Sequence, residues 1–311
     1  MTNSKRRWLR GLTVTLRILG VVMLFAGAGV YVCYRADRLV LRNIAERIVE
    51  GANAPAERVV AINNWVHWHG GFVANPQSFV FASMGATPLQ VVDGGGDCAD
   101  KSRLVVALLR EVGIASTPVM CFDPKTGRPV HTVVEARLPD REYIVVDPSF
   151  NLWFPKKTEP GKYYGVLALR NDPGILQSRL REVVSSRNYW MRVNGYRKDR
   201  SVYDRASTFN WDKNIATRGM RRVLSLVYGR DVDRLRRPSV LEEPKLAVAC
   251  AATLLGVSMI ACSAALSFHE RRCALKFGEH MERASRSAVE SAMENSAARS
   301  PAYHTGLVES A

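Results

Sequence analysis

Two charge-free stretches, Ile18–Tyr34 and Leu246–Phe268, constrain this 311-residue chain more than any other feature. A bilayer core offers no water to unpaired backbone groups, so an apolar run of about 20 residues is read as a spanning helix. The second stretch is 23 residues long, and the first is preceded by Gly11–Leu16 with only Arg17 between them. Each is long enough to cross. A basic head of Lys5, Arg6, Arg7 and Arg10, with the small residues Ala26-Gly27-Ala28, also fits a cleaved signal peptide. The apolar run continues to Cys33, beyond an ordinary signal core, so an uncleaved anchor is the reading adopted. Tyr31 and Val32 stand where lipid attachment at Cys33 would want small residues. Two spans put both tails on one side, and the tail 1–10 carries four basic and no acidic residues, which predicts that this side is cytoplasmic. The expected organisation is a basic tail 1–10, a span 11–34, a domain 35–154, an accessory segment 155–244, a span 245–268 and a cytoplasmic tail 269–311. The segment 35–244 would then lie outside a plasma (inner) membrane.

Within that segment, Cys98 follows Gly94, Gly95, Gly96 and Asp97 and opens a run with Leu104, Val105, Leu108, Leu109 and Val112 at helical spacing, up to Gly113. Asp97 is a good N-cap type and Asp100 falls in the first turn. Cys98 would therefore sit at the positive end of the helix, where a thiolate is favoured over a thiol. The glycines are expected to let the backbone turn and a substrate come close. Extended runs follow over Ile114–Phe122, Val130–Leu138 and Tyr143–Val146, separated by turn-rich text at 123–129 and at Pro139-Asp140. His131 lies near the start of the second run and Asp147 ends the third.

The text Gly96-Asp97-Cys98-Ala99-Asp100-Lys101-Ser102, then Leu108–Ile114, His131–Glu135 and Val146-Asp147-Pro148, resembles the transglutaminase-like superfamily, over roughly Glu57–Phe154. The resemblance implies an α+β fold with a papain-like core, in which a cysteine-bearing helix packs on an antiparallel sheet. It implies Cys98 as nucleophile, His131 as general base and acid, and Asp147 as the group orienting the imidazole, with neither cofactor nor metal. The family often has an aromatic residue shortly after the histidine; here Thr132, Val133 and Val134 follow. The implied activity is a cysteine-dependent amide or peptide hydrolase or acyltransferase, acting on a peptide, protein or amide-bearing envelope substrate. The alternative is a non-catalytic binding module of a cell-envelope assembly.

The triad would require His131 and Asp147 on one face of a hairpin. Opposed positions of an antiparallel pair have a constant index sum, and direct opposition of these two makes it 278. That leaves Leu138, Pro139 and Asp140 as a three-residue loop. An odd connection, or a bulge, is expected, because a two-residue loop would turn His131 to the other face.

Elsewhere, Ala36–Val49 reads as a helix leaving the membrane, and Glu57–His69 as a helix whose face of Val59, Ile62, Trp65, Val66 and His69 packs on the Cys98 helix. His67 and His69 are two apart and point to different faces, which argues against a shared metal. Residues 155–237 hold 20 Lys and Arg against 8 Asp and Glu, most of the chain's net charge of +15. Asp172-Pro173 opens one helix in this segment. A later run sets Met220, Val223, Leu224 and Val227 against Arg218, Arg221 and Arg222, a basic amphipathic helix. It suits either a solvated basic face or anionic headgroups or an anionic envelope polymer; nucleic acid is not expected, since no recognition module appears. Gly94–Gly96 lacks the Lys-Ser/Thr of a phosphate-binding loop. A further helix is expected near Arg271–Glu294.

Overall fold

The computed structural model describes residues 3–73, 78–81, 84–123, 125–185 and 203–298. These fall into two compact units, one of residues 1–26 and 252–311 and the other of residues 27–251.

The first unit is formed by parts of two long helices, α1 (Asn3–Ile48) and the last helix of the chain (Pro244–Ala298). Both are long and apolar enough to cross a membrane. Each continues without a break beyond its apolar run, so the expected helices Ala36–Val49 and Arg271–Glu294 are extensions rather than separate elements. Within this unit the helices meet at Gly20 and Gly256: a Cβ on Gly20 would lie 2.9 Å from the Gly256 carbonyl oxygen, and one on Gly256 2.7 Å from that of Gly20. Only glycine permits so close an approach of two backbones. Arg17, the one charge interrupting the first apolar run, donates from Nε to Ser263 Oγ at 2.8 Å and from a terminal nitrogen to Ser267 Oγ at 2.8 Å.

The second unit is an α+β layer structure. Its antiparallel sheet has the order β1 (Ser116–Phe122), β2 (Pro129–Arg137), β3 (Tyr143–Asp147), β4 (Leu152–Trp153). On one face, Val134, Ala136, Ile144 and Val146 pack on α2 (Pro55–Trp68), α4 (Cys98–Glu111) and the outer part of α1 through Val59, Ile62, Leu104, Leu108, Leu41 and Ala45. On the other, Val119, Val133 and Val145 pack on α5 (Val166–Asn171) and α6 (Pro173–Ser185) through Leu169, Leu176 and Leu180. Alternating residues therefore enter two different cores. This explains why β2 is buried from His131 to Ala136 without interruption.

Local chemistry fixes the ends of these elements. Pro55 and Pro88 sit in the first turns of α2 and α3 (Pro88–Gly94), and Thr87 with Gln90 forms a capping box on α3. Asp172 Oδ1 accepts from Gly174 N at 2.8 Å at the start of α6. The remaining described helix, α7 (Ile215–Tyr228), is capped by Asn214, which accepts from Thr217 N at 2.9 Å. The C-terminal helix Pro244–Ala298 is α8. Of the accessory segment, 186–202 lie outside the described residues, as does the tail beyond 298.

Candidate active site

Cys98 is the first residue of α4. Asp97 precedes it and accepts at Oδ1 from Ala99 N (2.8 Å) and Asp100 N (3.0 Å), a cap that holds the first turn and leaves the Cys98 amide out of its own bonds. The Cys98 side chain is partly exposed. The glycines before it admit a backbone conformation and a close approach that other residues could not take. A Cβ on Gly95, which has φ +75, would collide with the Gly70 carbonyl oxygen, so the run exists to admit the backbone after α2. Val73 N donates to Gly96 O at 3.3 Å in the same contact.

Cys98 and Ser102 are four apart and share a helix face. Ser102 is fully buried and donates from Oγ to the Thr132 carbonyl at 3.0 Å, which ties the first turns of α4 to the residue after His131. His131 donates from Nε2 to Asp147 Oδ2 at 2.7 Å. The Cys98 thiol is the other ionisable neighbour that acts on the same ring. With Nε2 committed to Asp147, Nδ1 is the nitrogen left for the sulphur. Burial works against a charged imidazole here, but the Asp147 carboxylate and then the Cys98 sulphur outweigh it and push His131 up to about 10. Asp147 is itself completely buried, and its Oδ1 accepts from Ser149 N (2.9 Å) and Phe150 N (3.2 Å). The three candidate residues are therefore brought to one place, with every carboxylate oxygen of Asp147 engaged.

The register differs from the expected one. Pairs such as Val134–Val146 and Arg137–Tyr143 give an index sum of 280, so His131 and Asp147 are diagonal rather than directly opposed, still of the same parity. Leu138 N donates to Glu142 O, leaving Pro139–Arg141 as the connection, one residue later than foreseen. Pro139 suits the first position of such a turn, and Arg141 takes the left-handed conformation (φ 60) at its third. The loop is odd in length, as the shared face required.

Support for this arrangement comes from residues to which sequence reading assigns no role in the site. Lys101 is buried and its Nζ donates to the carbonyls of Val66 (3.1 Å) and His67 (2.8 Å) at the end of α2, and burial brings it down to about 8. His67 turns its Nδ1 to the Pro148 carbonyl at 3.0 Å, next to Asp147. His69 points elsewhere and stacks on Trp65, with centroids 4.1 Å apart. Asn63 and Asn64 of α2 each bond the side chain of Asn151, whose φ is +51, in the turn that follows Asp147. A signal for Lys101 and Ser102 does exist: both are polar and fall on the otherwise apolar, inward side of α4. Cys121 lies directly across the sheet from His131, yet burial raises its thiol far above the ordinary range, so it cannot serve as a second nucleophile at neutral pH. Phe150, with its centroid 5.6 Å from that of His131, supplies from the β3–β4 turn the aromatic neighbour that β2 lacks.

Residues 42–148, about a third of the chain, match the family model of the transglutaminase-like superfamily. Among solved structures, the chain is similar to a proposed cysteine protease from Cytophaga hutchinsonii, with 18% identity, 36% of this chain and 37% of that one covered, and a TM-score of 0.31. It is also similar to a proposed protease from Parabacteroides distasonis, with 14% identity, 36% and 26% coverage, and a TM-score of 0.28. The chain thus spans little more than a third of the first structure's length. No curated protein matches it. The family match encloses Cys98, His131 and Asp147 together with the α4 helix and the strands that carry them, so residues 42–148 are similar to the transglutaminase-like superfamily over the segment that holds the candidate site.

Proposed function

We propose that this protein is a membrane-anchored cysteine enzyme that forms an acyl-thioester from an amide or peptide carbonyl and passes the acyl group to water or an amine. The observation that carries this reading is the 2.7 Å bond from His131 to Asp147 beside the Cys98 thiol, at the N-terminus of a capped helix. A protonated imidazole next to a sulphur at the positive helix end is the environment that stabilises a thiolate. The Cys98 thiolate attacks the carbonyl carbon, and the Cys98 amide N–H supplies one donor for the oxygen that gains charge. His131 gives its proton to the leaving amine as the C–N bond breaks. It then takes a proton from the incoming water or amine as the thioester opens, and the thiolate returns with a carboxylic acid or a new amide. Asp147, anchored by two backbone amides, holds the ring through both transfers.

In this reading 11–34 and 245–268 cross the inner membrane, both tails are cytoplasmic and 35–244 faces outward, where peptide, protein or amide-bearing envelope material is the substrate class. Reporter fusions at Arg10 and after Ser285 should both behave as cytoplasmic; an external signal from either would remove the two-span hairpin. The enzymatic reading is tested with a thiol-reactive probe. Cys98 should label faster than a free cysteine model, and His131→Ala should abolish the excess. If Cys98 reacts at the model rate and His131→Ala changes nothing, the domain is instead a binding module.

A further inference from the structure

Helix α7 is mounted with its apolar side outward. Placing successive residues about 100° apart puts Ile215, Leu226, Val223, Val227 and Met220 on one continuous side of the helix, with Arg218, Arg221 and Arg222 on the other. A helix of this kind in a globular domain turns the apolar side to the core. Here the opposite holds. The partly buried positions are Thr217, Arg221 and Leu224, on the border of the polar side. There Arg221 binds both oxygens of Asp233 (3.0 and 3.1 Å) and Thr217 donates to the Trp211 carbonyl at 2.9 Å. Ile215 is 82% exposed, Leu226 86%, Val227 76% and Val223 64%, and no residue of the helix is buried.

We infer that α7 lies in the interface of a membrane bearing anionic headgroups, its apolar side sunk at the level of the upper acyl chains. Three observations select lipid over another occupant. The helix has the composition of an interfacial helix, with apolar residues along one side and arginines on the other. Arg218 and Arg222 border the exposed apolar side, and neither guanidinium has a partner among the described residues, so both are available to phosphate groups. Finally, only residues 229–243 separate α7 from α8, which is itself long and apolar enough to span. The inference rests on the membrane-spanning reading of α1 and α8 and is independent of the catalytic one.

The full chain, with all its cysteines, can be reconstituted into vesicles of phosphatidylcholine alone or mixed with phosphatidylglycerol, carrying an environment-sensitive fluorescent amino acid at position 226 or 225. In the mixed vesicles the probe at 226 should shift to the blue, be shielded from aqueous iodide and be quenched by nitroxide-bearing lipid, while the probe at 225 stays open to iodide. Arg218→Glu and Arg222→Glu should each lower the ratio of docked to undocked helix by at least about fivefold in mixed vesicles, with much less effect in phosphatidylcholine alone. Equal iodide quenching at 226 and 225 in mixed vesicles would overturn the proposal, leaving α7 a solvated helix. Shielding of 226 from both quenchers would also overturn it, because protein would then cover the face. So would shielding that requires an added soluble polyanion, which would assign the arginines to a polymer. Loss of the chain from vesicles on alkaline extraction would strike the spans themselves, and α7 docking with them; retention with an iodide-open 226 strikes docking alone.

Discussion

Helices α4 and α7 have the same length, 14 residues, and similar caps, Asp97 and Asn214, each accepting from first-turn amides. Both are amphipathic. Yet α4 has nine buried residues and α7 none. The difference lies in what the rest of the chain offers. The sheet, α2 and the outer part of α1 present Val134, Val146, Ile62 and Leu41 to α4, whereas α7 is held by a salt bridge and a hydroxyl on its polar border. Amphipathic spacing thus announces that a face wants covering without naming the cover, and the two helices take different covers in one molecule.

The largest effects should separate the helices by chemistry. His131→Ala, which strips the partner of the α4 terminus, is expected to lower turnover by about 10²–10⁴-fold. Leu226→Ala and Arg222→Glu on α7 should leave the labelling rate of Cys98 unchanged; a large drop from either would join the two helices functionally and break the contrast. Next comes packing. Leu108→Ala, at a fully buried position, should cost about 2–5 kcal/mol in denaturant unfolding, and Leu226→Ala within about 0.5 kcal/mol in detergent. Comparable costs would mean that protein covers α7.

A third test uses pH. The folded-state value of His131 is raised to about 10 from 6.5, so the stability contributed by its protonated form is fully present below pH 6.5 and lost as pH rises toward 10. Melting temperature should fall across that window in the wild type and much less in His131→Gln; parallel curves would refute the ion pair with Asp147. The smallest expected effect is shared. Asp97→Ala and Asn214→Ala should each cost about 1 kcal/mol of helix stability, but only the former should also slow Cys98 labelling.

Several features of this architecture are legible in residues alone. Asp97 and Gly113 bracket α4, Asp172-Pro173 opens α6, and β-branched runs mark β1 to β3, because each depends on local geometry. Strand β4 is two residues long and carries no periodic signal. The hairpin was displaced by one residue because Pro139 prefers the first position of a turn that Arg141 closes in a left-handed conformation, a preference that the index sum does not contain. The order Cys98, His131, Asp147 is readable, whereas their support by Ser102, Lys101, His67 and Asn151 depends on contacts tens of residues apart. The glycines illustrate the limit from another side: their necessity is visible, and the neighbour that demands it, Gly70, is not.

The outer part of α1 has a practical consequence for anyone wishing to prepare a soluble fragment. Leu41 and Ala45 are sealed in the same core as α4, and Arg38 forks onto Glu111, whose side chain is fully enclosed. Asp37 meets Lys245, and Glu243 meets Arg110. Trimming at the family boundary, residue 42, would open a hole at Leu41 and take from Glu111 its nearest guanidinium, leaving Arg110 at 3.4 Å and Arg42 at 3.6 Å; viable cut points lie before Asp37 and after Lys245, so the excised domain must carry a stub of each long helix with it.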